Sequence, residues 1–95
     1  MKVTVYQKDW RNDDKIEKVA VVDTGETDFD WAFENAFRDT NSIDQVWWQN
    51  KTVTPLFSGD GCRSTSVGDY MECAGKVVRV DSIGMSEVDP SILNQ

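Results

Sequence analysis

The sequence predicts an α+β fold in which one helix packs on one face of a small antiparallel sheet of four or five strands. Strand-like alternation opens the chain, one amphipathic helix follows, and further strand-like runs come after a long loop. Strands grouped on each side of a single helix, in the order ββαβββ, lack the alternating rhythm of a parallel sheet. The 95 residues are expected to form a single domain, 1–95, with a modest core.

The N-terminal part of the chain predicts two strands. Residues 2–7 alternate with a period of two, which places Val3 and Val5 on one face. A second run, Ile16 with residues 19–22, is rich in β-branched side chains. The polar residues 8–15 between these runs are expected to form a long hairpin loop.

A helix is predicted to begin near residue 27. Thr27 is the expected N-cap and Asp30 completes a capping box, while Asp28 and Asp30 favour the positive end of the helix. Trp31 and Glu34 lie on or toward the side away from the core. The inward stripe has the spacing of a buried helical face and contains Phe29, Ala32, Phe33, Ala36 and Phe37.

Residues 40–66 lack periodicity and contain many turn-forming residues. They predict either one long ordered loop or a loop broken by a short helix around residues 44–49. The aromatic residues in this stretch argue against disorder. Since neighbouring side chains cannot both face one core, at least one of Trp47 and Trp48 is expected near the surface.

The C-terminal third predicts a return to the sheet. Residues 69–73 and 76–81 flank a tight Ala74-Gly75 turn and form a predicted hairpin, and residues 82–85 offer a further short strand. Asp89-Pro90 is expected to end regular structure, and the last five residues are expected to fray.

Composition excludes several classes of function. Ten basic against seventeen acidic residues give a net charge of -7, which opposes binding to nucleic acid or anionic lipid. The absence of histidine excludes Ser-His and Cys-His nucleophiles and a standard zinc site. No apolar stretch resembles a signal peptide or a membrane span, and Cys62 and Cys73 are expected to be free thiols. We expect no cofactor, no metal and no enzymatic activity.

A second polar block offers a candidate anion site. Arg63, Ser64, Thr65 and Ser66 provide a guanidinium and three hydroxyls just before a strand, and such groups can bind phosphate or carboxylate. The alternative interpretation is that these side chains bond the local backbone. If the block bound a ligand, the chain would be a small anion- or nucleotide-binding domain, or a hydrolytic one with Asp44 or Asp69 as base.

Three blocks of sequence carry a resemblance. Residues 40–44 (TNSID), residues 47–50 (WWQN) and residues 63–69 (RSTSVGD) resemble a pattern in small uncharacterised accessory proteins of phages, plasmids and actinobacteria. The resemblance covers roughly residues 37–85. It implies a mobile-element protein, in the cytoplasm of a bacterial host, of the kind that disables host machinery, as antirestriction and anti-CRISPR inhibitors do.

The leading hypothesis is a non-catalytic, acidic protein-binding module, either a monomer or a weak dimer. Its carboxylates would stand in for the phosphates of DNA, so the expected partner is a protein with a basic surface, such as a host nuclease or a CRISPR component. A structural accessory protein of a virion is a further alternative. The predicted partner-binding residues are Glu26, Asp28, Asp30, Trp31, Glu34, Trp47 and Trp48.

Overall fold

An antiparallel sheet with one helix on one face forms the fold, as predicted. The computed structural model describes residues 1–43 and 45–94. Within these residues the strands are β1 (Lys2–Asp9), β2 (Lys15–Asp23), β3 (Val53–Pro55), β4 (Tyr70–Cys73), β5 (Lys76–Val80) and β6 (Met85–Val88). The helix α1 spans Phe29–Asp39, and 3-10 turns form at Trp47–Gln49 and Pro90–Asn94. The strands form a six-stranded sheet in the order β3-β2-β1-β4-β5-β6.

Alternation along the central strand builds the core. Val3 and Val5 of β1 are buried, and Val5 lies opposite Ala20 of β2 and Met71 of β4. Phe33 of α1 belongs to the same buried cluster, so this face of the sheet is the one that the helix covers. The alternation of apolar and polar residues therefore predicted the inward face of β1 correctly.

The sheet has one strand that periodicity did not predict. β3 lies within the long loop and pairs with β2, with Val53 opposite Val22 and Pro55 opposite Ala20. Three residues are too few to show a period of two, and a proline is tolerated here because β3 is an edge strand. The rest of the loop is ordered around the 3-10 turn at Trp47–Gln49, while Asp44 lies outside the described residues.

Both hairpins form, with shifted boundaries. Ala74 and Gly75 have φ values of 51° and 88°, as a two-residue hairpin turn requires. The first hairpin loop is shorter than predicted, because β1 extends to Asp9 and β2 starts at Lys15. β6 begins at Met85, later than predicted, because residues 81–84 form a turn closed by a 3.0 Å hydrogen bond from Asp81 N–H to the Gly84 carbonyl.

The start of α1 and the C-terminal segment differ from the predictions. The N-cap of α1 is Asp28 and not Thr27, because the Asp28 carboxylate accepts the Trp31 N–H. Residues 90–94 form a 3-10 turn, although regular structure was expected to end at Asp89-Pro90 and residues 91–95 were expected to fray; Gln95 lies outside the described residues. Asp89 starts this turn, since its carboxylate accepts the Ser91 N–H at 2.9 Å and its carbonyl accepts the Ile92 N–H at 3.1 Å. Asp-Pro is thus a turn start here, because proline suits a first helical position.

The helix covers only part of its sheet face. α1 packs mainly on β1, β2 and β4, and the 3-10 turn carrying Trp47 packs beside β3. Val78 and Val80 of β5 are nevertheless buried, at 5% and 3% exposed, and the outer strand β6 is the more open one, with Met85 half-buried and Glu87 exposed. Across residues 1–43 and 45–94, no helix combines the length and apolar character that a membrane crossing requires.

Candidate protein-binding surface

The start of α1 presents an aromatic ring among carboxylates. Trp31 is 64% exposed, and Asp28, Asp30 and Glu34 are exposed around it on the first two turns. The capping bond from Trp31 N–H to Asp28 Oδ2 is 3.2 Å long and fixes the backbone from which this indole projects. We call these four residues the acidic helix flank.

Glu26, the fourth acidic candidate near this surface, is used within the chain. Its carboxylate accepts a 2.8 Å hydrogen bond from Asn35 Nδ2, and its backbone carbonyl accepts one from the Met1 amino group. The side chain is half-buried. Glu26 therefore anchors the segment before α1, and its carboxylate is less accessible to a partner than those of Asp30 and Glu34.

The two adjacent tryptophans have different environments. Trp47 is 0% exposed, and its indole N–H points at the carbonyls of Cys62 (3.2 Å) and Arg63 (2.9 Å). Trp47 thus presents no surface to a partner, which corrects its place among the predicted binding residues. Its neighbour Trp48 is half-buried and packs edge-on against Trp47 and Phe57, with ring centroids 5.6 and 5.3 Å away.

This arrangement confirms that at least one of the two indoles lies near the surface. Trp48 also lies against Gly61, where a Cβ atom would approach its ring to 3.3 Å. These contacts place Trp48 in the long loop, with no described contact to the acidic helix flank. Trp10 is 67% exposed, a surface aromatic that was not among the predicted site residues although its polar neighbours indicated a loop.

The donors of the candidate anion site are bound to the protein itself. Arg63 donates from Nη1 to Asp69 Oδ2 at 2.6 Å and from Nη2 to Asp69 Oδ1 at 2.7 Å. The same guanidinium donates to the Lys8 carbonyl at 2.9 Å and to the Ser64 carbonyl at 3.1 Å. The bond to Asp69 raises the pKa of Arg63 further, so the guanidinium stays charged.

The hydroxyls of this loop are also engaged. Ser64 Oγ accepts the Ser42 N–H at 2.9 Å, Thr65 Oγ1 pairs with Thr40 Oγ1 at 2.8 Å, and Ser66 Oγ donates to the Ser64 carbonyl at 3.0 Å. The Arg63-Ser66 loop therefore encloses an anion that the chain supplies, the carboxylate of Asp69. The geometry favours the interpretation in which these side chains bond locally.

Cys62 lies beside this loop as a half-buried thiol. It donates to Gln7 Oε1 at 3.2 Å. Burial raises the pKa of the Cys62 thiol and outweighs the opposing effect of the Arg63 charge. At neutral pH the side chain is therefore a thiol and not the nucleophilic thiolate.

Neither a metal-binding cluster nor a similarity to known proteins identifies the function of this surface. Within the described part of the chain, no group of three or more Cys, Asp or Glu side chains is placed to hold a metal ion. The resemblance to phage and plasmid accessory proteins stays a prediction. The chain matches no protein-family model, no curated protein and no solved structure.

Proposed function

We propose that this chain is a non-catalytic protein-binding module whose acidic helix flank engages a basic surface on a partner protein. The observation that carries the proposal is the position of Trp31. It is a large ring, 64% exposed, held on a capped helix and surrounded by carboxylates. Aromatic residues of this kind are the usual anchors of protein interfaces.

Covering Trp31 supplies binding free energy. A tryptophan buries roughly 150–250 Å² in a fold or an interface, so covering its exposed part gains on the order of 3 kcal/mol. The carboxylates of Asp28, Asp30 and Glu34 add direction, because they attract cationic side chains and repel acidic surfaces. The ring thus supports affinity while the charges support the choice of partner.

The partner that we propose is a nucleic-acid-handling protein of the bacterial host, such as a nuclease or a CRISPR component. Proteins of this class carry lysine and arginine to bind phosphates, and a net charge of -7 complements such surfaces. Carboxylates along the helix would then occupy positions that phosphates take on the natural ligand. The resemblance to phage accessory proteins supports an inhibitory role in the host cytoplasm.

The alternative of an anion-binding or hydrolytic domain receives less support. Its proposed cation, Arg63, is paired with Asp69. Of its two proposed bases, Asp69 accepts hydrogen bonds from four donors and Asp44 lies outside the described residues. Binding a ligand there would require an internal ion pair to open. No observation on the described residues favours the virion alternative.

The test is affinity capture from bacterial lysate at low and at high ionic strength, with bound proteins identified by mass spectrometry. The variant Asp28→Asn/Asp30→Asn/Glu34→Gln removes three charges and keeps an N-cap, since asparagine also caps helices. We expect the wild type to retain a basic protein at low salt, and both the variant and high salt to reduce its recovery.

A matched control removes the same number of charges elsewhere. Asp13→Asn/Asp14→Asn/Asp60→Asn changes exposed loop residues, and asparagine tolerates the positive φ of Asp13 and Asp14. This control should retain the partner. Equal recovery by wild type and the helix variant, unaffected by salt, would contradict the proposal.

A further inference from the structure

The loop before Cys62 contains the one Asp-Gly pair of the chain, Asp60-Gly61. Both residues are exposed, and Gly59 before them has a φ of 92°. Glycine on each side of Asp60 allows backbone conformations that other residues resist. Within residues 1–43 and 45–94, neither the Asp60 carboxylate nor the Gly61 N–H has a hydrogen-bond partner. Both groups are therefore free to meet each other.

We propose that Asp60 isomerises to isoaspartate in the folded protein by reacting with the backbone of Gly61. The Gly61 nitrogen attacks the side-chain carboxyl carbon of Asp60, a C–N bond forms, and the carboxyl OH leaves with the amide proton as water. The product is a five-membered succinimide. Solvent water then opens the ring at one of its two carbonyls. Opening at the side-chain carbonyl restores aspartate, and opening at the main-chain carbonyl leaves the backbone running through the Asp60 side chain.

The residue after the aspartate decides how easily this ring closes. Its nitrogen must approach the side-chain carboxyl carbon, and a side chain on the following Cα crowds that approach. Gly61 has no side chain. Asp89, in contrast, precedes Pro90, which has no N–H proton to lose. Asp60 is therefore the aspartate whose neighbour hinders the reaction least.

The three other aspartates that precede serine or threonine are restrained by the fold. In two of them the N–H of the following residue donates to a main-chain carbonyl, and in the third the carboxylate accepts side-chain donors. Of these four aspartates, Asp60 is the one with neither reacting group held in the part of the chain that the structure describes. The restraining bonds are Thr24 N–H to the Met1 carbonyl (3.2 Å), Thr40 N–H to the Ala36 carbonyl (3.1 Å), and Arg79 Nε (2.9 Å) and the Ser86 hydroxyl to the Asp81 carboxylate.

The new linkage lengthens the backbone next to the packed tryptophans. Isoaspartate adds the Asp60 Cβ to the main chain and leaves the former main-chain carboxyl group as the charged side group, so the net charge is unchanged. The Cys62 and Arg63 carbonyls, which accept the Trp47 indole N–H at 3.2 and 2.9 Å, follow within three residues. The glycine between lies against the Trp48 ring. We therefore expect the isomerised chain to be less stable.

The experiment incubates the full chain at neutral pH in native buffer and in urea. Trypsin cleavage after Lys51 and Arg63 releases residues 52–63, in which Asp60 is the one aspartate. Electron-transfer fragmentation distinguishes isoaspartate from aspartate in this peptide, although their masses are equal. We expect Asp60 to isomerise in native buffer within about threefold of its rate in urea, whereas folding should slow Asp23, Asp39 and Asp81 at least about tenfold.

Two matched variants locate the reaction. Asp60→Glu keeps the charge but would have to close a six-membered ring, and we expect the isomer of peptide 52–63 to be lost. Asp60→Asn does not serve this purpose, because asparagine closes the same five-membered ring with loss of ammonia. Asp23→Glu makes the same change at an exposed aspartate of β2, and it should leave the rate at Asp60 unchanged.

Urea unfolding of incubated samples tests the effect on stability. Incubated wild type should contain a fraction that unfolds at lower urea, equal in size to its isoaspartate content, and incubated Asp60→Glu should not. Isoaspartate at residue 60 in urea but not in native buffer would show that the fold holds the two groups apart, and would overturn the proposal. Equal accumulation at the other three aspartates in native buffer would also overturn it. If incubated and fresh wild type unfolded alike despite isoaspartate, the effect on the tryptophans would be refuted.

Discussion

Arg63 and Asp69 form a two-point ion pair in which each guanidinium Nη faces one carboxylate oxygen, at 2.6 and 2.7 Å. Asp69 is 1% exposed and the Arg63 side chain 38% exposed. The carboxylate also accepts the N–H groups of Lys8 at 3.0 Å and Ser66 at 2.8 Å. One buried side chain therefore joins the end of β1, the long loop and the start of β4.

Asp69→Asn should destabilise the protein strongly. The amide keeps one acceptor oxygen, but it removes the charge that Arg63 needs and turns an NH2 group toward backbone donors. Since Arg63 is partly solvated, we expect a loss of about 2–3 kcal/mol, at or below the lower end for a broken buried pair. Urea unfolding measures the change. Asp60→Asn, on an exposed residue of the same loop, should shift stability by less than about 0.5 kcal/mol.

The tryptophans should divide into structural and surface residues. Trp47→Phe removes an indole N–H bonded to two carbonyls and leaves space beside Trp48 and Phe57, so we expect a loss of about 2–4 kcal/mol. Trp31→Phe should change stability by less than about 0.5 kcal/mol, because the ring is exposed. Similar losses for both variants in chemical denaturation would contradict this division.

The end of α1 depends on a pair of buried hydroxyls. Thr40 Oγ1 donates to the Ala36 carbonyl at 2.8 Å and lies 2.8 Å from Thr65 Oγ1. Thr40→Val should cost about 1–2 kcal/mol, because it leaves the Thr65 hydroxyl without its partner. Adding Thr65→Val should cost less than the sum of the single changes. Strict additivity in the double-mutant cycle would show that the two hydroxyls are not coupled.

Stability should fall at alkaline pH. Burial raises the pKa of the Cys62 and Cys73 thiols above the ordinary 9.0, and burial with the Glu72 charge raises the pKa of Tyr6 above 10.0. The folded chain therefore holds protons that the unfolded chain has released, and raising the pH favours unfolding. Urea midpoints should drop between about pH 8 and about pH 10.

The thiol contribution can be separated from the rest of the alkaline effect. A Cys62→Ala/Cys73→Ala variant lacks both groups, so its stability should decline less steeply over the same pH range than that of the wild type, whatever its stability at neutral pH. An identical decline would show that the two thiols do not contribute.

Periodicity predicted the elements whose side chains repeat over several residues. Val3 and Val5 marked the inward face of β1, and the stripe containing Phe33 marked α1. Gly75 between two strand-like runs predicted the turn because glycine accepts positive φ readily, whereas the positive φ of Ala74 does not follow from its residue type. Each of these signals is local, so the α+β class and the packed helix followed from the sequence.

The remaining features depend on contacts between distant residues. β3 is a strand because Val53 meets Val22, and nothing in its three residues shows this pairing. Trp47 is the buried member of its pair because the carbonyls of Cys62 and Arg63 lie where its N–H points. The sequence of the Arg63-Ser66 block resembles an anion site, and only the fold shows that the Asp69 carboxylate already occupies it.

The position of β1 at the centre of the sheet has a consequence for biosynthesis. Its partner on one side, β2, follows immediately, but on the other side Tyr6 pairs with Tyr70, which is 64 positions later (70 − 6). During synthesis, the edge of β1 that pairs with β4 stays unpaired until β4 has left the ribosome. Closing that long connection is a slow step, and chaperone protection of this nascent edge would raise the yield of folded product.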